Sequence, residues 1–172
     1  MFSHLVENIL DFSRLDEGRK TFHFEPCNLS DLIREVVEYL VMRNSDLDFE
    51  VTLDLGEEPI FAMVDSQGIH QVIYNLIDNA IKYSGNSRKV DVKLGIVEQT
   101  VRITVKDFGI GISKKERKRI FSRFYRSERL SFGSITGSGI GLSIVSEIVK
   151  AHNGCIEMDS ELGVGSTFSV YL

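Results

Sequence analysis

The chain has no tryptophan, only two prolines and only two cysteines in 172 residues. No apolar run approaches the roughly eighteen residues a membrane-spanning helix needs. The shortage of proline, with no low-complexity stretch, argues against a disordered linker. Cys27 and Cys155 stand too far apart for a metal or redox spacing, and both read as buried thiols in a reducing compartment. No signal-peptide pattern opens the chain, so the sequence reads as soluble. Basic residues are outnumbered, 20 Lys and Arg against 25 Asp and Glu. A net charge of −5 argues against a broad nucleic-acid or membrane surface. What remains, at 42% hydrophobic content, is one ordinary globular domain with a small attachment.

Taken in order, Phe2, Leu5, Ile9 and Phe12 recur at bundle-seam spacing in a segment too short to be stable alone, and Gly18 stops it. From Lys20 to Cys27 the alternation of Phe22 and Phe24 predicts a strand ended by Pro26. Asn28 or Ser30 can cap the following helix, which carries Leu32, Ile33, Val36, Val37, Leu40 and Val41 on its apolar side. Strands are expected at Phe49–Leu55 and Ile60–Val64, after which Asp65 caps a central helix. Two alternating runs, Val90–Ile96 and Val101–Val105, predict a long antiparallel hairpin. A further helix opens in Gly137–Val145 and ends at Gly154 as a left-handed cap. Cys155–Met158 and Ser166–Leu172 are the last strands. This order lacks βαβ regularity. It predicts an α/β (α+β) two-layer sandwich, a mixed and mainly antiparallel sheet with helices on one face.

Three stretches carry chemistry. On the central helix, Ile69, Val72, Ile73, Leu76, Ile77, Ala80 and Ile81 form one broad apolar side. Asn75, Asn79 and Lys82 fall in a narrow stripe away from its centre. Two amides and an ammonium there suit a metal ion and phosphate oxygens, although a solvated polar face fits the same stripe. The Gly137–Gly141 run, at a helix start, presents bare amides that favour phosphate. It is neither a Walker A loop nor a dinucleotide fingerprint, and alone it fits a hinge equally. Asp107-Phe-Gly109 follows a strand, but no V-A-I-K lysine or H-R-D loop accompanies it, which rules out the eukaryotic-type protein-kinase element. A carboxylate at that turn needs partners, and the exocyclic amine of a base would supply one. Between Ser113 and Thr136, eight basic residues stand against Glu116 and Glu128, a local charge of +6 that leaves −11 for the rest. That segment is either a solvated face or a flap over an anion.

Together these motifs resemble the catalytic domain of sensor histidine kinases. Asn75-Leu-Ile-Asp-Asn79-Ala-Ile-Lys82-Tyr83 resembles the N box, and Asp107-Phe-Gly-Ile-Gly111 the first glycine box. Phe121-Ser-Arg-Phe124-Tyr-Arg126 resembles the F box, while Gly137-Ser-Gly-Ile-Gly141-Leu and Gly163-Val-Gly-Ser-Thr167 resemble later glycine boxes. The resemblance implies the ATPase fold shared by histidine kinases, topoisomerases and heat-shock chaperones. It implies a catalytic ATP-binding domain over residues 19–172, with an ATP lid at about 113–138, preceded in residues 1–18 by the end of the second dimerisation helix.

The resemblance also implies roles. Asn79 would bind Mg²⁺, with Asn75 supporting the triphosphate region and Lys82 contacting phosphate. Asp107 would accept from the adenine amine, with Tyr83 against the base and Thr167 hydrogen-bonding nearby through water. Gly109, Gly111, Ile112 and Leu142 would lie at the nucleotide, and Gly137, Gly139 and Gly141 would let the lid approach the phosphates. Arg126, and secondarily Arg123, would reach the γ-phosphate. Phe124 belongs to the nucleotide site but serves, with Phe121, chiefly to anchor the lid. A nucleotide-free lid is expected to be disordered around Arg129–Thr136.

ATPases of this fold, and its anti-sigma-type serine kinases, carry Glu where Asn75 stands here. An amide cannot take a proton from water, so the resemblance implies poor hydrolysis and a γ-phosphate held for another nucleophile. None of His4, His23, His70 and His152 has a phosphoacceptor context. The sequence is thus expected to bind Mg·ATP without phosphorylating itself, the acceptor standing in the parent's own dimerisation domain. Implied partners are that homodimeric domain and a response regulator, with no nucleic acid and no membrane contact. The implied location is cytoplasmic, with a parent free to be anchored in the inner membrane.

Overall fold

The computed structural model describes residues 21–47, 49–127 and 138–172. The seam of residues 2–12, Gly137, and the stretch expected to be disordered around 129–136 lie outside the described residues.

Helix α1 (Leu29–Arg43) starts where the backbone of strand β1 (Glu25–Asn28) turns. The Asn28 side chain, not Ser30, caps it by accepting from the amides of Ser30 and Asp31. After β2 (Glu50–Asp54) and β3 (Phe61–Val64), α2 (Ser66–Tyr83) begins at Asp65, whose carboxylate accepts from Gly68 N at 2.6 Å. The same carboxylate accepts from His23 N at 2.8 Å. The helix buries the apolar side read from its periodicity, Ile69, Ile73 and Ile77 being wholly inaccessible.

Strands β4 (Lys89–Val97) and β5 (Thr100–Asp107) form the expected hairpin. Its two-residue turn, Glu98-Gln99, has φ of 50° and 67°, the left-handed backbone conformation that lets such turns follow the twist of the strands. Helix α3 (Gly141–Ala151) and strands β6 (Cys155–Glu161) and β7 (Gly165–Tyr171) complete the fold. The main sheet has five strands in the order β2-β4-β5-β7-β6. Only the β2–β4 pair is parallel. Exposed ion pairs Lys89–Glu50 and Lys93–Asp54 match its register.

Val90, Val92 and Leu94 of β4, Ile103 and Val105 of β5, and Phe168 and Val170 of β7 face inward beneath the helices. Their alternates Lys93, Arg102 and Lys106 face outward. This is a two-layer sandwich with one covered sheet face. Helices α2 and α3 are tied at their ends by His152, which donates from Nδ1 to Ile148 O at 2.8 Å and accepts at Nε2 from Asp65 N at 3.0 Å. Phe22 and Phe24 pack their rings on that imidazole. Among the described residues, no helix is long and apolar enough to cross a membrane.

Four expectations need correction. The first strand is not ended by Pro26 but contains it, opposite Met63 in a separate two-stranded sheet with β3. Each strand of such a pair is an edge, where a missing amide is tolerated. The left-handed residue after α3 is Asn153 (φ 56°), not Gly154. Gly154 is needed for space, because a Cβ there would stand 2.2 Å from Tyr171 O. Cys155 is exposed and Cys27 only half-buried, since Cys155 has the outward parity on the edge strand β6 and Cys27 lies in the two-stranded sheet. Finally, Phe121 does anchor its segment, packing edge-on to Phe168 at 6.3 Å, whereas Phe124 is 66% exposed with φ 58°.

Candidate functional site

The inner face of the sheet is apolar over most of its length and becomes polar at one end. Register sets Asp107 of β5 against Ser166 of β7, and Ser166 against Ser160 of β6, in one inward-facing row. The next row along, Val105, Phe168 and Met158, is apolar. Asp107 is 4% exposed. Gly109 N donates to its Oδ1 at 2.9 Å, and Ser166 donates from both its amide and its hydroxyl. Burial pushes the Asp107 carboxyl above its ordinary value, and these hydrogen bonds pull it partly back. Ser160 Oγ lies 3.0 Å from the Ser166 hydroxyl, donates to Gly165 O at 2.9 Å, and accepts from Ile112 N at 2.8 Å.

The loop after Asp107 is wedged between α2 and the β6–β7 turn. Ile110 N donates to Tyr83 O at 3.1 Å, and Gly163 N donates to Ile110 O at 2.8 Å. A Cβ on Gly109 would stand 1.8 Å from Tyr83 O. On Gly111, at φ +65°, it would stand 2.0 Å from Glu161 O. Only glycine fits at either position.

Above this row opens a cavity of about 280 Å³. Asn79, Ala80 and Tyr83 come from α2, Ile110, Gly111 and Ile112 from the loop, and Leu142 from α3. Leu162, Ser166 and Phe168 complete the sheet side, while Glu116, Tyr125, Arg126 and Ser127 stand at the other rim. An apolar slot with one buried carboxylate at its floor suits a flat heterocycle carrying an amino donor. Burial raises the Tyr83 phenol above its ordinary value, with the Arg126 cation opposing.

A second feature adjoins the cavity. Helix α3 begins at Gly141, and no side chain among the described residues caps it. Asn75, 6% exposed, lies against it: a Cβ on Gly141 would meet Asn75 Oδ1 at 3.2 Å. Among the described residues, the buried Asn75 Nδ2 has no hydrogen-bond partner. Unclaimed amides at a helix N-terminus beside an unpartnered buried donor suit phosphate oxygens. The residues present therefore fit a nucleoside phosphate at both of its ends.

The other residues singled out from sequence are placed as follows. Lys82 pairs with Asp78 one helical turn back. Gly139, at φ +71°, sits where a Cβ would meet Tyr125 O at 2.8 Å, so the glycine run and the Phe124–Tyr125 backbone touch. Arg123 is exposed. Thr167 lies on the outer face of β7, opposite in parity to Ser166 and Phe168, which line the cavity. Its neighbour Ser166 meets Asp107. Sequence reasoning missed Ser166, Ser160, Glu116, Ile110 and Leu162. The first of these was legible by counting back in twos from the apolar pair Val170 and Phe168.

Residues 64–172 match the family described as histidine kinase-, DNA gyrase B- and HSP90-like ATPase. The sensor histidine kinase RppB of Synechocystis is 33% identical over 99% of this chain and 37% of its own length. WalK of Bacillus subtilis, another sensor histidine kinase, is 32% identical over 98% of this chain and 28% of its own. The chain thus spans about a third of the length of the curated relatives it matches. Among solved structures, full-length ShkA in complex with AMPPNP superposes at a TM-score of 0.84, with 26% identity, over 98% of this chain and 35% of that one. The mycobacterial sensor histidine kinase MprB gives 0.75 at 29% identity, covering 87% of this chain and 97% of that one.

Proposed function

The chain belongs to the histidine kinase-, DNA gyrase B- and HSP90-like ATPase family, and on that premise we propose that residues 19–172 are the ATP-binding catalytic domain of a sensor histidine kinase. It donates the γ-phosphate of ATP to a histidine of the parent's dimerisation domain, for relay to a response regulator.

The observation that carries this reading is Asp107, a buried carboxylate held by Gly109 and Ser166 at the floor of an apolar slot. It accepts from the adenine amine, which selects adenine by leaving the carboxylate poorly paired under a base without that donor. Tyr83, Ile110 and Ile112 cover the ring. The triphosphate runs toward the N-terminus of α3, where the first-turn amides and the Asn75 amide donate to it. Gly139 and Gly141 keep that approach clear of side chains.

Among the described residues no three carboxylates, imidazoles or thiols converge as a metal site. Asn79 would hold Mg²⁺ through its amide oxygen jointly with phosphate oxygens, an oxygen donor set that suits that ion. When bound, the ion neutralises charge on the transferring group. Lys82, oriented by Asp78, and Arg126 at the cavity rim supply the remaining positive charge. Asn75 orients without accepting a proton, so water near the γ-phosphate is not activated, and the phosphoryl group is kept for the incoming imidazole.

The test is transfer in trans. The domain is incubated with γ-labelled Mg·ATP and the parent's dimerisation segment supplied separately. Label on the histidine of that segment, with little free phosphate, is expected. Steady release of free phosphate with no labelled histidine would instead make the domain an ATPase.

A further inference from the structure

Residues Ser113–Ser127 carry a strong excess of positive charge, yet their one carboxylate, Glu116, is turned inward to the cavity. A lone anion among cations normally serves as a solvated ion-pair partner. Glu116 instead collects hydroxyls. Ser113 Oγ donates to Oε2, the Tyr125 phenol donates to Oε1 at 3.3 Å, and the Ser127 hydroxyl donates as well. The carboxyl is accordingly held below its ordinary value, first by Ser113 and then by Ser127. Its backbone fixes the segment too: Glu116 N donates to Ser113 O at 3.0 Å, and Glu116 O accepts from Arg119 N at 2.7 Å and Ile120 N at 3.0 Å.

Tyr125 and Ser127 are the two neighbours of Arg126 in the chain. We propose that Glu116 is a positioning residue for Arg126: its carboxylate, anchored at Ser113, grips the residues on both sides of Arg126 and so sets the guanidinium at the cavity rim. This role rests on the reading of Arg126 as a contact of the terminal phosphate. An arginine on an irregular segment must otherwise give up much rotamer and backbone freedom when it meets its anion. Fixing its two neighbours beforehand removes part of that cost. The Tyr125 ring is held from its other side by the Arg119 guanidinium, 4.6 Å from the ring centroid. The grip acts through a tethered loop rather than through a free hydroxyl.

The experiment measures dissociation constants for Mg·ADP and for a non-hydrolysable Mg·ATP analogue with the wild type, Glu116→Ala, Arg126→Ala and the double variant. The wild type is expected to prefer the triphosphate. Glu116→Ala should lose that preference by about tenfold, the scale of one charge-assisted contact, while ADP binding changes by less than about twofold. The double variant should match Arg126→Ala alone, because the two losses are one interaction. Equal weakening of both nucleotides in Glu116→Ala, or losses that add, would overturn the role, since a merely structural residue behaves that way. A wild type with no triphosphate preference would overturn the Arg126 contact along with it. Preference intact in Glu116→Ala but lost in Arg126→Ala would overturn the Glu116 role alone. Should Glu116→Ala fail to fold, Tyr125→Phe and Ser127→Ala release the grips singly, and each is expected to give part of the same selective loss.

Discussion

Asp107 and Ser166 face one another across β5 and β7 as register partners, and Ser166 meets the carboxylate with both its amide and its hydroxyl. Those donors hold the charged form against a burial that disfavours it, and burial is the larger effect. With its folded-state value raised, the carboxyl contributes stability below its unfolded value, and that contribution is lost as pH rises through the folded one. The nucleotide-free domain should therefore lose stability in that window. Asp107→Asn should remove this component and unfold at the same or a higher temperature near neutral pH. Thermal melts of both proteins from acid to neutral pH check this. Nucleotide binding should run oppositely, weakening as pH falls through the same window, because the protonated carboxyl accepts less well from the base.

The glycines grade by what surrounds them. Gly109→Ala and Gly111→Ala drive a methyl into backbone oxygen at 1.8 and 2.0 Å, which no rotamer change relieves. Each should destabilise the domain by about 3 kcal/mol or more, or displace the loop and abolish nucleotide binding. Gly56 has φ +73° but open space, so Gly56→Ala should cost only the left-handed strain, about 1 kcal/mol. Urea denaturation of the three variants separates the classes.

The two thiols differ in reach and in ionisation. Cys155 is exposed, whereas Cys27 is half-buried and its thiol is pushed up, first by burial and then by Glu25. A thiol-specific reagent at mildly alkaline pH should label Cys155 several-fold faster, and peptide mapping after partial labelling reads the order.

Removal of His152 should loosen the ends of two helices together. His152→Ala leaves Asp65 N without its acceptor and strips the imidazole from Phe22 and Phe24. The expected loss is about 2–3 kcal/mol in urea denaturation. Label from γ-labelled ATP is expected on none of the four histidines, which mass spectrometry of the incubated domain checks.

Local signals in the sequence located most elements. The caps at Asn28 and Asp65, the apolar periodicity of α2 and the hairpin alternation are properties of neighbouring residues, and each was readable. Long-range pairing was not. Nothing near Pro26 announces that its partner is Met63, and nothing near Val51 announces a parallel partner in Val90. The site divides the same way. Asp107 and the glycines of its loop stand out because their chemistry is local. Ser166 was passed over for Thr167 because a strand's facing depends on register, and a shift of one residue exchanges the two faces. Glu116 was hidden among lysines and arginines, its role visible only once Ser113, Tyr125 and Ser127 converge on it.

The most direct test of the account is calorimetric titration with a non-hydrolysable ATP analogue and Mg²⁺, comparing the wild type with Asp107→Asn. The account predicts binding by the wild type that weakens about 10- to 100-fold in the variant, the loss of a hydrogen bond to a buried charge. Equal affinity in the two proteins would contradict the placement of adenine at Asp107, and no binding by either would contradict the site itself.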